Sequence, residues 1–188
     1  MITAGCEKLG IEVPIIQAPM GGAVGPALAA AVSNAGGLGT LALWGADIQT
    51  LRQQVRETRA LTAKPFAVNL NLEFPQEERL EICLQEGVPV ISFFWREPSA
   101  LVARAKSDGA IVLHTVSTAA EARQAVDCGV DVVVAQGWEA GGHVRGNVAT
   151  MPLIPAVVDA VGPVPVIAAG GIADGRGLAA ALALGASG

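Results

Sequence analysis

The sequence predicts an α/β barrel of parallel strands, a TIM (β/α)8 barrel truncated after its seventh βα unit. Three observations carry that expectation. Short apolar runs alternate with helix-like segments along the whole chain. The runs are continuous Val/Ile/Leu stretches, as strands buried on both faces require. The joins also share one grammar: "NAGGLGTLAL", "QEGVPVISFF", "SDGAIVLHT" and "DCGVDVVVAQ" each end a helix near a polar residue, turn at glycine and enter an apolar strand.

Taken in order, the predicted strands are Ile15–Ala18, Leu38–Leu43, Phe66–Leu70, Val90–Phe94, Ile111–His114, Asp131–Ala135 and Val164–Ala168. The predicted helices between and after them are Gly25–Asn34, Asp47–Thr62, Gln76–Glu86, Ser99–Ser107, Thr118–Cys128, Met151–Val161 and Gly175–Leu184. Asp47 is a candidate N-cap, and Thr118 with Glu121 three positions on resembles a capping box. Seven βα units exceed what a doubly wound sheet of this length needs. The final "LALGASG" reads as a helix-end glycine turn leading into an eighth strand. The expectation is one domain over residues 1–188, incomplete at its C-terminus. Its first and seventh strands would then expose unpaired edges, which favours self-association into a homo-oligomer.

Composition narrows the function. The chain has 188 residues, 52% hydrophobic and 15% charged, with net charge −5. That rules against disorder, and the lack of a basic patch argues against nucleic acid as a partner. The longest apolar stretches are broken by Ser33 and Asn34 or by Asp174 and Arg176, so neither reads as a membrane span of ~20 residues. The N-terminus has no basic and apolar leader pattern. Cys6, Cys83 and Cys128 are far apart and lack metal-ligand spacing, which fits reduced, buried thiols in the cytoplasm and no metal site.

Strand ends carry the chemistry. Gln17, Asn69, Asn71, Ser92, His114 and Gln136 fall at or near them, and the expectation is that most face one mouth of the barrel. Neutral amides and hydroxyls there can bond a planar heteroaromatic ring or a phosphate, or simply the loop backbone. Three glycine-rich loops follow strands: "QAPMGG", "AQGWEAGGHVRG" and "AAGGIADGRG". The last opens a helix, and backbone N–H groups of such a turn form an anion site. The interval between the sixth and seventh strands is longer than its neighbours, so "AQGWEAGGHVRG" is an insertion at the strand end where parallel barrels bind ligands.

"PIIQAPMGG", "AGGLGTL", "KPFAVNLNL", "VVVAQGWEAGGHVRG" and "PVIAAGGIADGRGLAAALALGA" together resemble the nitronate monooxygenases, formerly called 2-nitropropane dioxygenases, over nearly the whole chain. Similar runs occur in the flavin-dependent enoyl-acyl-carrier-protein reductases of the second type. The resemblance implies a barrel that binds FMN at its strand C-termini. Pro19, Met20 and Gly21 would lie beside the isoalloxazine, and Asn69 would hydrogen-bond the flavin side. Gln136 would contact the flavin or its ribityl chain, Gly141 and Gly142 would let the loop approach, and Gly170 and Gly171 would cradle the phosphate. Three departures stand out: the family's second phosphate-cradling glycine motif, after the eighth strand, is missing here, His114 stands where a lysine is expected, and "SFFWREP" stands where many relatives have a glycine-containing turn.

His143 would then hang over the flavin as the catalytic group. An imidazole titrates near pH ~6.5 in model peptides, which suits proton abstraction near neutrality. The resemblance implies FMN-dependent oxidation of alkyl nitronates or nitroalkanes by O2 to a carbonyl compound and nitrite. The alternatives are an NAD(P)H-dependent flavin reductase acting on an enoyl thioester or quinone, and a non-catalytic fragment. Glu139 reads as a loop organiser accepting backbone N–H groups, Trp138 as a pocket wall or a loop anchor, and Arg145 as solvated or steering an anionic substrate.

Overall fold

The structure, a computed structural model, describes residues 2–188. Its strands are β1 (Gly39–Ala42), β2 (Phe66–Asn71), β3 (Val90–Phe94), β4 (Ile111–Val116), β5 (Val132–Gln136) and β6 (Val166–Ala169). All pair in parallel, in the order β1-β2-β3-β4-β5-β6, so each strand lies beside its neighbour in sequence. The helices are α1 (Ala4–Leu9), α2 (Pro26–Asn34), α3 (Ile48–Leu61), α4 (Glu77–Gln85), α5 (Ser99–Ser107), α6 (Ala119–Asp127), α7 (Thr150–Val161) and α8 (Gly175–Ala183). A curled parallel sheet with one helix per crossover is the truncated TIM barrel the alternation predicts.

Local chemistry explains the boundaries. Asp47 caps α3 by accepting from the Thr50 N–H at 2.9 Å. Thr118 caps α6 through the Glu121 N–H at 3.1 Å. The return leg of that motif is displaced by one residue: Glu121 accepts from the Ser117 N–H at 2.7 Å and its hydroxyl at 2.8 Å. Helix α1 is not among the predicted elements. It is short, and it exists because Thr3 caps its start and it has a surface to cover.

That surface is the floor of the barrel. Leu38, Ala67, Val90, Leu113, Val132 and Ile167 form one cluster with Cys6 and Leu9 of α1 and with Ile11. Strands β2 to β6 and Leu38, just before β1, supply inward side chains to this ring, and α1 packs on it. The opposite register packs against the helices: Val68, Leu70, Ile91, Phe93, Val112, Val116 and Val133 belong to a second cluster with Leu51, Val55, Leu80, Val102 and Leu153. Side chains alternate across a strand, so these two clusters define which residues face inward.

The ends of the sheet differ from expectation. The predicted strand Ile15–Ala18 survives as a single bridge, Ile16 to Leu38. Pro14 and Pro19 flank it and lack N–H donors. The Gln17 side chain continues the pairing instead, donating to the Thr40 carbonyl at 3.1 Å and accepting from the Thr40 N–H at 3.2 Å. On the other edge the Ser187 N–H donates to the Val166 carbonyl at 2.6 Å, and the Ala168 N–H to the Gly188 carbonyl at 2.8 Å. A side chain on Gly188 would meet the Pro14 carbonyl at 2.7 Å. Residues 187 and 188 thus begin to fill the gap between β6 and residues 14–16. The seventh predicted strand is not the bare edge expected of it.

Among the described residues no helix is long and apolar enough to cross a membrane.

Candidate active site

The loops after the strands all open on one rim, because every strand runs the same way. Pro19, Met20, Gly21, Gln136, Gly141, Gly142, His143, Gly170 and Gly171 lie in or at these loops, and Asn69 lies one turn of pleat below. Asn69 shares the inward register of Ala67, is 5% exposed, and donates to the Ser92 carbonyl and hydroxyl, both at 3.2 Å. Thr40, paired with Ala67 one inward position below, has a buried hydroxyl without a partner.

His114 corrects the expectation of a common mouth. Strand β4 runs on to Val116, so His114 sits inside it and shares the outward register of Val112 and Val116. It is 5% exposed, and burial pushes its pKa down from 6.5 to about 4. Its Nδ1 has no partner. Gln17 is likewise occupied with Thr40 instead of waiting for a ligand.

The β5 loop is tied at its base and loose at its tip. Gly137 is so close to α7 that an added Cβ would come within 2.0 Å of Thr150 Oγ1, and its N–H donates to the Ala169 carbonyl at 2.8 Å. Glu139 accepts from the Thr150 N–H at 2.8 Å and its hydroxyl at 3.0 Å. Hydrogen bonds from its own N–H and from that of Thr150 hold its carboxyl below the usual carboxylate range, so it organises the loop as an anion. Trp138 is 61% exposed and anchors nothing by burial. At the tip, Gly142 takes φ +72, and nothing lies within 4 Å of the side-chain direction of Gly141 or Gly142. The Gln136 side chain donates to the His143 carbonyl at 3.2 Å, which ties the tip back to the strand end.

His143 is held by two tryptophans. Its ring meets Trp95 edge-on at 5.4 Å and 86°, and Trp44 at 6.1 Å and 89°. Trp44 follows β1 and stacks on Phe74 at 5.4 Å; Trp95 follows β3 and stacks on Phe94 at 4.7 Å. Neither tryptophan stands out in the sequence as part of the site. The signal for Trp95 was the "SFFWREP" departure; Trp44 carried none, since only the fold brings the ends of β1, β3 and β5 together.

A cavity of about 300 Å³ lies between the ends of β3 and β4 and α6, lined by Trp95, Glu97, His114, Glu121, Gln136 and Arg145 among others; Trp95, on its wall, also touches His143. The cavity has the size of a small-ligand pocket. At the next rim position, Gly170 takes φ +119, and a Cβ there would come within 2.6 Å of Thr150 Oγ1. The start of α8 is already capped: Asp174 accepts from the Arg176 N–H at 2.9 Å and the Gly177 N–H at 3.4 Å. An anion at this rim would therefore rest on the Gly170–Gly171 backbone, not on the first turn of α8. No hydrogen bond or ring contact ties Pro19–Gly21 to His143 among the described residues; they share the rim alone. Among the described residues no cluster of His, Cys, Asp and Glu is placed to hold a metal ion. Burial raises the Cys83 thiol to about 12 and the Cys128 thiol to about 11, so neither is a ready nucleophile.

A parallel barrel with glycine-rich loops and one histidine on a common rim has the form of a ligand-binding barrel. Comparison with known proteins gives the family. The nitronate monooxygenase family model matches residues 3–78 and 71–188, and the chain belongs to that family of flavin-dependent oxidoreductases. It is 43% identical over 187 residues to a Rhodococcus jostii (3aS,4S,5R,7aS)-5-hydroxy-7a-methyl-1-oxo-octahydro-1H-indene-4-carboxyl-CoA dehydrogenase, covering 99% of this chain and 52% of that protein. It is 41% identical over 227 residues to a Pseudomonas aeruginosa nitronate monooxygenase, covering 95% of this chain and 64% of that protein. The structure of FabK from Thermotoga maritima superposes with TM-score 0.95 at 42% identity, covering 100% of this chain and 60% of that one. A nitroalkane oxidase from Streptomyces ansochromogenes gives 0.88 at 33%, covering 98% and 65%. The chain spans about half the length of the first two curated relatives it matches.

Proposed function

We propose that this chain carries the flavin mouth of an FMN-dependent oxidoreductase that oxidises alkyl nitronates or nitroalkanes with O2, giving a carbonyl compound and nitrite. The observation that carries the reading is His143, fixed between Trp44 and Trp95 at the strand C-termini. The residues fit a flat cofactor: space is open at Gly21, Gly141 and Gly142, and the Gly170–Gly171 turn admits no Cβ at its first glycine without a clash. Pro19, Met20 and Gly21 would line the ring, Asn69 and Gln136 would bond its polar atoms, and Gly170 and Gly171 would hold the phosphate. FMN would supply the electron transfer from the substrate carbon to oxygen.

The protein supplies position and a proton acceptor. Neutral His143 takes the α-proton of a nitroalkane, and the charged imidazolium then faces the nitronate anion. Arg145 lines the neighbouring cavity together with Glu97 and Glu121. Glu139 is committed to Thr150 and does not compete as a base.

A second reading has its own support. The 227-residue alignment with the nitronate monooxygenase exceeds this 188-residue chain, so that relative holds internal residues this chain lacks. The alignment with the CoA-thioester dehydrogenase needs almost no gaps. That favours an NAD(P)H-linked flavin oxidoreductase acting on an acyl thioester.

The test is an absorption spectrum of the full-length protein with FMN, taken anaerobically with NADH or NADPH and then in air with a nitronate. Rapid bleaching by the nicotinamide selects the thioester reading; oxygen uptake with the nitronate selects the first. His143→Ala should lower turnover of a neutral nitroalkane by roughly 10²–10⁴-fold and spare a preformed nitronate. Full turnover of the neutral compound by that variant would overturn the base assignment.

A further inference from the structure

Four loops meet around His143 in a closed ring of contacts. Trp44, after β1, touches His143 and stacks on Phe74, after β2. Glu73, next to Phe74, holds Arg96 in a two-point pair: Nε to Oε2 at 3.1 Å and Nη2 to Oε1 at 2.5 Å. Trp95, next to Arg96, returns to His143. Trp95 and Arg96 take φ of +63 and +54, the two non-glycine residues with positive φ among the described ones. Side chains disfavour that region through the contact of Cβ with the backbone. The Trp95 indole N–H is also buried without a partner. Packing for stability alone selects against all of these features. Strain and an orphaned donor concentrated at one residue mark a position kept for its placement.

We infer that Trp95 is a positioning residue: its strained turn, locked by the Arg96–Glu73 pair, sets the imidazole of His143 over the barrel mouth. The inference rests on His143 being the acid–base group. The β5 loop tip has open space at both of its glycines and one side-chain hydrogen bond, so it does not hold the imidazole by itself. Trp95 supplies one wall on the cavity side, and Trp44 supplies the other. The arrangement exchanges local backbone comfort for a fixed angle of attack, and misplacement of a reacting group costs rate steeply.

The experiment uses the full-length flavin-loaded protein with Trp95→Gly, Trp95→Phe and Glu73→Gln. Trp95→Gly should fold, since glycine relieves the left-handed backbone. It should lower kcat on the order of 100-fold with KM changed less than twofold, and Trp95→Phe should recover most of that loss. Glu73→Gln keeps both indoles and should give an intermediate loss. Independently of activity, the His143 ring-proton resonances should move toward those of an exposed histidine in Trp95→Gly, because the indole ring current is gone. Unchanged His143 resonances in Trp95→Gly would overturn the inference whatever the enzyme does. So would equal kcat in wild type and a folded Trp95→Gly. If His143→Ala alone leaves turnover intact while the resonances still move, the base assignment fails and the contact stands.

Discussion

The floor and the mouth of this barrel are built from the same strands and obey opposite rules. At the floor, Leu38, Ala67, Val90, Leu113, Val132 and Ile167 pack with α1 in one apolar cluster. At the mouth, a few residues along the same strands, stand Trp95 with an orphaned indole N–H, Gly142 and Gly170 in left-handed backbone, and tryptophans around an exposed histidine. The floor gains stability through burial of apolar surface. The mouth gives some of it up. The lesson is that a parallel barrel separates the two tasks along its axis, so substitutions should sort by height: floor changes act on stability and mouth changes on chemistry.

The largest expected effect tests the floor. Leu113 is 2% exposed. Leu113→Ala should cost about 3 kcal/mol of unfolding free energy, from lost burial and a residual cavity. The activity per folded molecule should stay at the wild-type level. Urea unfolding and flavin-normalised turnover check both halves. A large drop in kcat at full folding would break the separation.

A smaller effect tests the boundary. His114 lies in the helix-facing layer near the mouth, with burial lowering its pKa from 6.5 to about 4. The folded chain therefore keeps it neutral where the unfolded chain binds a proton. Its contribution to stability is complete above pH 6.5 and is lost as the pH falls toward 4. Between pH 7 and pH 5 the loss is on the order of 2 kcal/mol. His114→Leu should remove that part of the pH dependence. Equal slopes for the variant and the wild type in urea midpoints at the two pH values would show that His114 is not held neutral by the fold.

The smallest expected effect tests the mouth. Gly142 has φ +72 and open space around it, so Gly142→Ala meets no clash and only the backbone strain. About 1 kcal/mol of stability should be lost. Turnover should fall by more than that stability change explains, because the turn delivers His143. Activity that follows stability alone would move the loop tip from the chemical class to the structural one.

Much of the fold was legible in the residues. Val90–Phe94 and Ser99–Ser107 appear as expected to the residue, and the other interior elements shift by a few residues at their ends. Continuous apolar runs and glycine turns are local signals, and burial on both faces leaves little room for another reading. The sheet edges were less legible: Pro14 and Pro19 reduced the first predicted strand to one bridge. Helix α1 was missed because six residues carry no periodicity and the helix owes its place to the floor it covers. Among site residues, the loop with His143 announced itself through its glycines, and the Glu139–Thr150 bonds match the loop-organising reading. His114 misled, because its apparent place at a strand end hid a register that turns it outward.

By itself the sequence determined the parallel alternation, the glycine loops and the imidazole on one of them, since each follows from neighbours within a dozen positions along the chain. Only the tertiary structure decided which strand residues face the mouth, and that Trp44 and Trp95 flank His143. The reason is geometric. Side chains alternate every residue along a strand, so a small shift in strand ends reverses facing. Contacts between the ends of β1, β3 and β5 join residues far apart in the chain, and curvature of the sheet alone brings them within reach.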